Sequence, residues 1–169
     1  MQLQYRIRTV HPDDPLELEA IIQVEAVCFP AVEAATPHSL AQRIAAFPQS
    51  FLVAQREDTG EIIGFINGSV TDHSTISDEM FEDVSLHNPA GAYQAIFGLD
   101  VLPAYRRQGI AAALMNAFIE NARKQGRKGL ILTCKEHLLS YYGSFGYQNE
   151  GISQSVHGGA VWYDMRLIF

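Results

Sequence analysis

The 169-residue sequence predicts one mixed α/β domain, on three observations. Segments of strand-like apolar patterning alternate with segments whose apolar residues recur at helical spacing. Proline and glycine stand between most of them, where turns and caps need them. No repeat, low-complexity tract or linker divides the chain, which is long enough for one substantial core and short for two.

Residues 4 to 10 alternate as a first strand. Asp13-Asp14-Pro15 then supplies cap candidates and a first-turn proline for a helix carrying Leu18, Ile21, Ile22 and Cys28, which Pro30 stops. Thr36-Pro37 opens a second helix by the same chemistry, with Leu40, Ile44 and Phe47 on one face. Residues 51–56 and 62–70 are apolar segments around Asp58-Thr59-Gly60, the pattern of a hairpin. A polar, acidic stretch follows over 71–92, with weak helical character near residues 77–81. Residues 95–102 form the next predicted strand, ending at Pro103.

Ile110, Leu114, Phe118 and Ala122 recur every four residues and mark a long amphipathic helix. Arg123 and Lys124 suit the negative end of its dipole, and Gly126 is placed to cap it. A buried strand over 129–134, a short helix over 136–143 and a strand pair at 147–152 and 160–168 complete the expected order.

Hydrophobic residues make up 47% and charged residues 18%, a globular balance rather than a disordered one. No apolar run approaches the roughly 20 residues that cross a bilayer, and the N-terminus lacks the apolar stretch of a signal peptide. Cys28 and Cys134 form neither a disulfide framework nor a metal spacing, so a reduced, cytoplasmic setting is expected. The six histidines show no paired ligand spacing, so no metal is expected. A net charge of −7 disfavours nucleic acid as a partner. The charge is uneven: residues 1–100 hold 15 of 19 acids, whereas residues 101–135 hold seven of twelve basic residues. That basic segment is either a solvated helix face or an anion site.

The turn from Pro103 to Ala111 favours the second reading. Small residues, Gly109 and Ala111, sit where a long helix begins, and backbone amides there point outward with the positive dipole end behind them. A pyrophosphate fits such a place. A GxGxxG fingerprint and a Walker lysine are both absent.

Arg106-x-x-Gly109-x-Ala111 resembles the acyl-CoA pyrophosphate loop of the GNAT acetyltransferase superfamily, written [QR]-x-x-G-x-[GA]. Val101 and Pro103 precede it as in that family, and the helix follows it. Residues 129–134 match the family's next strand, and Tyr141-Tyr142-Gly143-Ser144-Phe145-Gly146-Tyr147 resembles its Y-x-x-x-G-[FY] ending. The resemblance implies a central twisted mixed sheet with splayed middle strands and helices on both faces. It implies acetyl-CoA as cosubstrate, with Leu99, Asp100 and Val101 along the pantetheine arm. Arg107, Gln108, Gly109, Ile110, Ala111 and Ala112 would hold the pyrophosphate. Tyr142 matches the family's general-acid tyrosine, with Tyr141 as the other possibility, and attack is direct, in a ternary complex.

Ala26 to Pro30, Ala35-Thr36-Pro37 and Ser85-Leu86-His87 are most similar to the arylalkylamine (serotonin) N-acetyltransferase group and its bacterial relatives. That likeness implies a small primary amine, arylalkylamine- or polyamine-like, as acceptor. The vertebrate enzymes of the group carry two relay histidines where this chain has Ala95 and Phe97. His87, Glu33 and Asp100 are the substitute base candidates, and Phe29, Tyr93 and Phe97 fit an aromatic acceptor or a core equally well. Two alternatives stay open: a protein or peptide N-acetyltransferase, for which the acids of residues 72–83 would receive a basic peptide, and a non-catalytic acyl-CoA-binding sensor. Family members often pair as homodimers, which the resemblance allows here.

Overall fold

The computed structural model describes residues 2–169; Met1, the first residue of the expected domain, lies outside the described residues. In chain order the strands are β1 (Tyr5–Thr9), β2 (Phe51–Arg56), β3 (Ile62–Asn67), β4 (Val70–Thr71), β5 (Tyr93–Ile96), β6 (Gly98–Val101), β7 (Gly129–Cys134), β8 (Gln148–Ile152) and β9 (Tyr163–Ile168). The helices are α1 (Pro15–Cys28), α2 (Pro37–Ala46), α3 (Asp78–Glu82), α4 (Ile110–Lys124) and α5 (Leu139–Gly143). The chain divides into two compact units, residues 1–68 with 98–118 and residues 69–97 with 119–169.

In the first unit the strands run β1-β2-β3-β6, all antiparallel. The caps read from sequence are present. Asp14 accepts from the N–H groups of Leu16 and Glu17, Thr36 accepts from that of Ser39, and a proline follows each cap. Ile21 and Val24 of α1 and Leu40 and Ile44 of α2 bury with Phe51, Val53, Ile62 and Phe65 of the sheet. The Phe51 and Phe65 rings stack at 5.3 Å. Burying each such side chain contributes about 1.5–3 kcal/mol. Leu114 of α4 approaches Gly64, which alternates with Phe65, so helices cover both faces of this sheet.

In the second unit the order is β4-β5-β7-β9-β8, with β5 and β7 parallel and the other pairs antiparallel. Ile76, Met80, Ala95 and Ile131 form its core cluster, with Phe81, Tyr93 and Phe97 packed against it. Helix α4 ends on Gly126 at φ +76°, with Gly126 N–H donating to Arg123 and Arg127 N–H to Ala122. That double closure is the C-terminal glycine motif expected from the sequence.

Three expected boundaries change. The strand expected over 95–102 is two strands, β5 and β6, interrupted at Phe97 and belonging to different sheets. Residues 62–70 divide likewise, at Gly68 and Ser69, into β3 and β4. In both places a glycine stands where the chain leaves one ladder for another, and glycine inside a strand weakens its continuity. The helix expected over 136–143 is a short 3₁₀ turn followed by α5.

Candidate functional site

The turn ahead of α4 has an unusual backbone. Arg107 and Gly109 both adopt left-handed conformations, at φ +63° and +82°. Arg107 is the one non-glycine among the described residues to do so, and such a conformation costs roughly 1–2 kcal/mol for an L residue. A side-chain carbon built on Gly109 would meet nothing within 4 Å, so the backbone there is open to approach. Among the described residues, the first helical N–H to find a backbone acceptor is that of Ala113, which donates to the Gly109 carbonyl at 3.0 Å. Ile110 is buried and anchors the first turn, while Arg107, Gln108 and Gly109 are exposed and Ala111 and Ala112 half-exposed.

Side chains nearby fix the turn. Tyr105 donates to Glu61 at 2.7 Å and accepts from the Arg56 guanidinium at 2.9 Å, tying the turn to the β2–β3 hairpin. The Arg106 Nε donates to the Val101 carbonyl at the end of β6. Arg106, the residue that opens the sequence motif, therefore closes the strand end.

Within the same unit, Asp100 is almost wholly buried, at 1% exposure, and neither carboxylate oxygen receives a hydrogen bond from a donor group. It faces Glu25 of α1, 6% exposed, whose Oε2 accepts from the Ala35 N–H at 2.8 Å. Arg43 of α2, also buried, donates to the Asn67 Oδ1 at 3.2 Å. Burial pulls the Arg43 guanidinium down to about 10, against the attraction of Glu25 and Asp100. Burial also pushes the Asp100 carboxyl well above the carboxylate range, with the neighbouring Glu25 adding to the shift. Loss of solvent and the neighbouring carboxyl thus both favour the protonated form of Asp100. Cys28, beside them, donates its thiol to the Val101 carbonyl at 3.3 Å, and burial raises its pKa. Sequence reading named Asp100 and missed Glu25, Arg43 and Asn67.

Among the other base candidates, His87 is engaged by a backbone donor. The His87 Nδ1 accepts the Val70 N–H at 2.9 Å, and desolvation lowers the ring's pKa, with Arg127 reinforcing the shift. Glu33 lies half-buried in the loop between α1 and α2, in a turn closed by its own N–H on Pro30. Ala95 is fully buried and Phe97 rests on Phe81, with centroids 4.7 Å apart.

Tyr142 lies on α5 in the second unit, half-buried, with edge-on ring contacts to Tyr141 and Tyr147. Burial raises the pKa of both neighbours, well above 10 for Tyr147, where Tyr142 adds to the effect. Of the acids in residues 72–83, Asp72 accepts from Asn88 and the Ala92 N–H, Asp78 from Ser155 and the Val156 N–H, and Asp83 from Ser85.

His11, Asp14 and Glu17 place possible ligand atoms within 4.8 Å of one another. Glu17 is already bound by the Arg8 guanidinium and the His11 N–H, and Asp14 caps α1. Cys28 and Cys134 are both free thiols, and burial raises the latter to about 11. No helix among the described residues is long and apolar enough to cross a membrane.

The family model described as "Acetyltransferase (GNAT) family" matches residues 18–147. Serotonin N-acetyltransferase of Mesocricetus auratus is 24% identical over 110 residues, covering 64% of this chain and 52% of that protein. The matched region thus spans about half the length of that relative. Among solved structures, the GphF GNAT-like decarboxylase in complex with isobutyryl-CoA superposes with a TM-score of 0.80 at 21% identity, covering 96% of this chain and 98% of that one. The ribosomal-protein-S18-alanine N-acetyltransferase of Escherichia coli gives 0.70 at 18% identity, covering 98% and 94%. The family match runs from Leu18 within α1 to Tyr147, including the turn ahead of α4, and by it the chain belongs to the GNAT acetyltransferase family.

Proposed function

We propose that this chain transfers an acetyl group from acetyl-CoA to the primary amine of a small molecule, arylalkylamine- or polyamine-like, by direct attack in a ternary complex. The observation that carries the reading is the open left-handed turn at Arg107 and Gly109, which presents unpaired helix N–H groups. Such a cradle suits a pyrophosphate. Arg107 to Ala112 would hold it, mostly through backbone. The Leu99, Asp100 and Val101 backbone would lie along the pantetheine arm. GNAT membership and a neighbour solved with isobutyryl-CoA support an acyl-CoA as the cosubstrate. Tyr142 is assigned the proton that the departing thiolate needs, because a phenol is protonated at neutral pH.

The small-amine acceptor is supported by the likeness to serotonin N-acetyltransferase. Asp72, Asp78 and Asp83 of the acidic segment accept internal hydrogen bonds, whereas Glu79 and Glu82 are exposed, so peptides belong in the test panel. The test is acetyl-CoA-dependent thiol release against arylalkylamines, polyamines, amino acids and short peptides. Release with small amines alone supports the reading. Release with peptides alone replaces it with peptide acetylation. Silence with intact acetyl-CoA binding replaces it with a CoA sensor, and absence of CoA binding overturns it.

A further inference from the structure

Helix α1 carries apolar residues on two sides. Ile21 and Val24 pack into the core. Leu16, Ala20, Gln23 and Val27 recur at intervals of four, three and four, which places them in one stripe of the helix. That stripe lines a groove of about 360 Å³, which Ile62 of the β2–β3 hairpin and Leu102 line as well. An outward helix face ordinarily carries polar residues, yet Leu16 is 81% and Val27 57% exposed at this groove. A ligand covering them gains roughly 25 cal/mol for each Å² of apolar surface taken from water. None of the residues assigned above to acetyl-CoA lines the groove.

Size and charge narrow the occupant. A folded partner needs roughly 800 Å² on each side of a stable interface. A volume of about 360 Å³ falls instead at the lower end of small-molecule sites, roughly 300–1,000 Å³. Asp14, Glu17 and Glu61 line the groove, and among the described residues no lysine, arginine or histidine does. Glu17 is neutralised by Arg8, and the nearby Arg56 is paired with Asp58. Asp14 and Glu61 keep their charges. The Asp14 Oδ1 caps α1 and the Glu61 Oε1 accepts from the neutral Tyr105 hydroxyl, which leaves the second oxygen of each without a donor. An alkylammonium brings both the donors and the opposite charge.

We propose that the groove between α1 and the β2–β3 hairpin binds a small organic cation, apart from the acetyl-CoA site. Its hydrocarbon part lies against Leu16, Ala20, Val27 and Leu102, and its ammonium lies in the field of Asp14 and Glu61. The same field repels an anion of equal shape. The site goes beyond the acetyl-transfer reading and stands without it.

The probes are n-hexylamine, 1-hexanol and hexanoate, alike in chain and different in charge at neutral pH. Each is titrated into the wild-type chain while two-dimensional NMR follows the backbone N–H signals of residues 16–27 and 60–62. Hexylammonium is expected to shift those signals saturably, with hexanol weaker and hexanoate weaker still. The double variant Asp14→Asn with Glu61→Gln is expected to bind hexylammonium about tenfold more weakly, the scale of two exposed ion pairs, and hexanol unchanged. Asparagine still caps the helix, and glutamine can still accept from Tyr105. Leu16→Ser with Val27→Ser, both exposed positions, is expected to weaken hexylammonium and hexanol alike, about fivefold. Hexanoate binding as tightly as hexylammonium, shifts confined to other residues, or hexylammonium affinity unchanged in either double variant overturns the proposal. Should the charge variant not fold, the serine variant decides by the same criterion. No turnover is read, so failure here leaves the acetyl-transfer reading standing.

Discussion

The Arg106 Nε and the Cys28 Sγ both donate to one acceptor, the Val101 carbonyl, at 2.9 and 3.3 Å. Helix α1 and the turn ahead of α4 thus meet at the last residue of β6. Through its Nε, the guanidinium that begins the family motif ties the turn to the strand end.

Replacing Arg106 with alanine is therefore expected to loosen the turn more than the fold. The lost hydrogen bond is worth about 1 kcal/mol. The expected outcome is a fall of a few degrees in Tm with a roughly tenfold weaker acetyl-CoA affinity by calorimetry. A lower Tm with undiminished affinity would show that the turn does not depend on this bond.

Gly109 and Gly126 make a matched pair, at φ +82° and +76°, each with open space where a side chain would stand. Alanine at either position carries about 1 kcal/mol of backbone strain, so similar falls in Tm are expected. Only Gly109→Ala is expected to weaken acetyl-CoA binding, because only there would a methyl group stand over the turn at the start of α4. Isothermal titration of both variants checks this, and equal affinities would remove the turn from the binding surface.

Tyr142→Phe keeps the ring that packs edge-on against Tyr141 and Tyr147 and removes the hydroxyl. The expected result is a kcat reduced about 100-fold at neutral pH, measured on folded protein. If Tyr141→Phe produces that loss instead, the neighbouring ring is the proton donor.

Asp100 also makes stability depend on pH. Its pKa is raised in the folded chain, so between the ordinary value near 3.9 and the folded value the native state binds more protons than the unfolded one. Stability from this residue is fully present below about pH 3.9 and falls as pH rises toward the folded pKa. Asp100→Asn removes that fall, so its Tm relative to wild type is expected to climb from pH 4 toward neutrality. A difference that stays flat across this range would mean that Asp100 is ionised throughout.

How much of this was legible in the sequence depended on how local the determining contacts were. The caps at Asp14 and Thr36 and the closure at Gly126 involve neighbours within a few residues, so residue type alone announced them. The exchange of ladders at Phe97 did not, because residues 95–102 read as one apolar stretch whichever partners its two halves choose. Gly98 was the available signal, since a glycine inside a strand pattern points to a bulge or close approach. The turn at residues 107–112 was readable because its open backbone is written in Gly109 and Ala111. The Glu25, Arg43 and Asp100 cluster was not. Its members lie far apart in sequence, and charged residues taken singly read as surface until the fold buries them together.

The pairing of β3 with β6 has a consequence during synthesis. Residues 64–67 receive their second ladder from residues 98–101, some thirty positions later in the chain. A nascent chain that has emerged only as far as Asn67 can pair β3 with β2 but offers its other edge, all of it buried in the finished fold, to any strand nearby. Elongation at about 5–20 residues per second leaves that edge open for seconds. Chaperone contact or edge-to-edge association would concentrate in that interval, and slowing translation between Gly68 and Val101 would lengthen it.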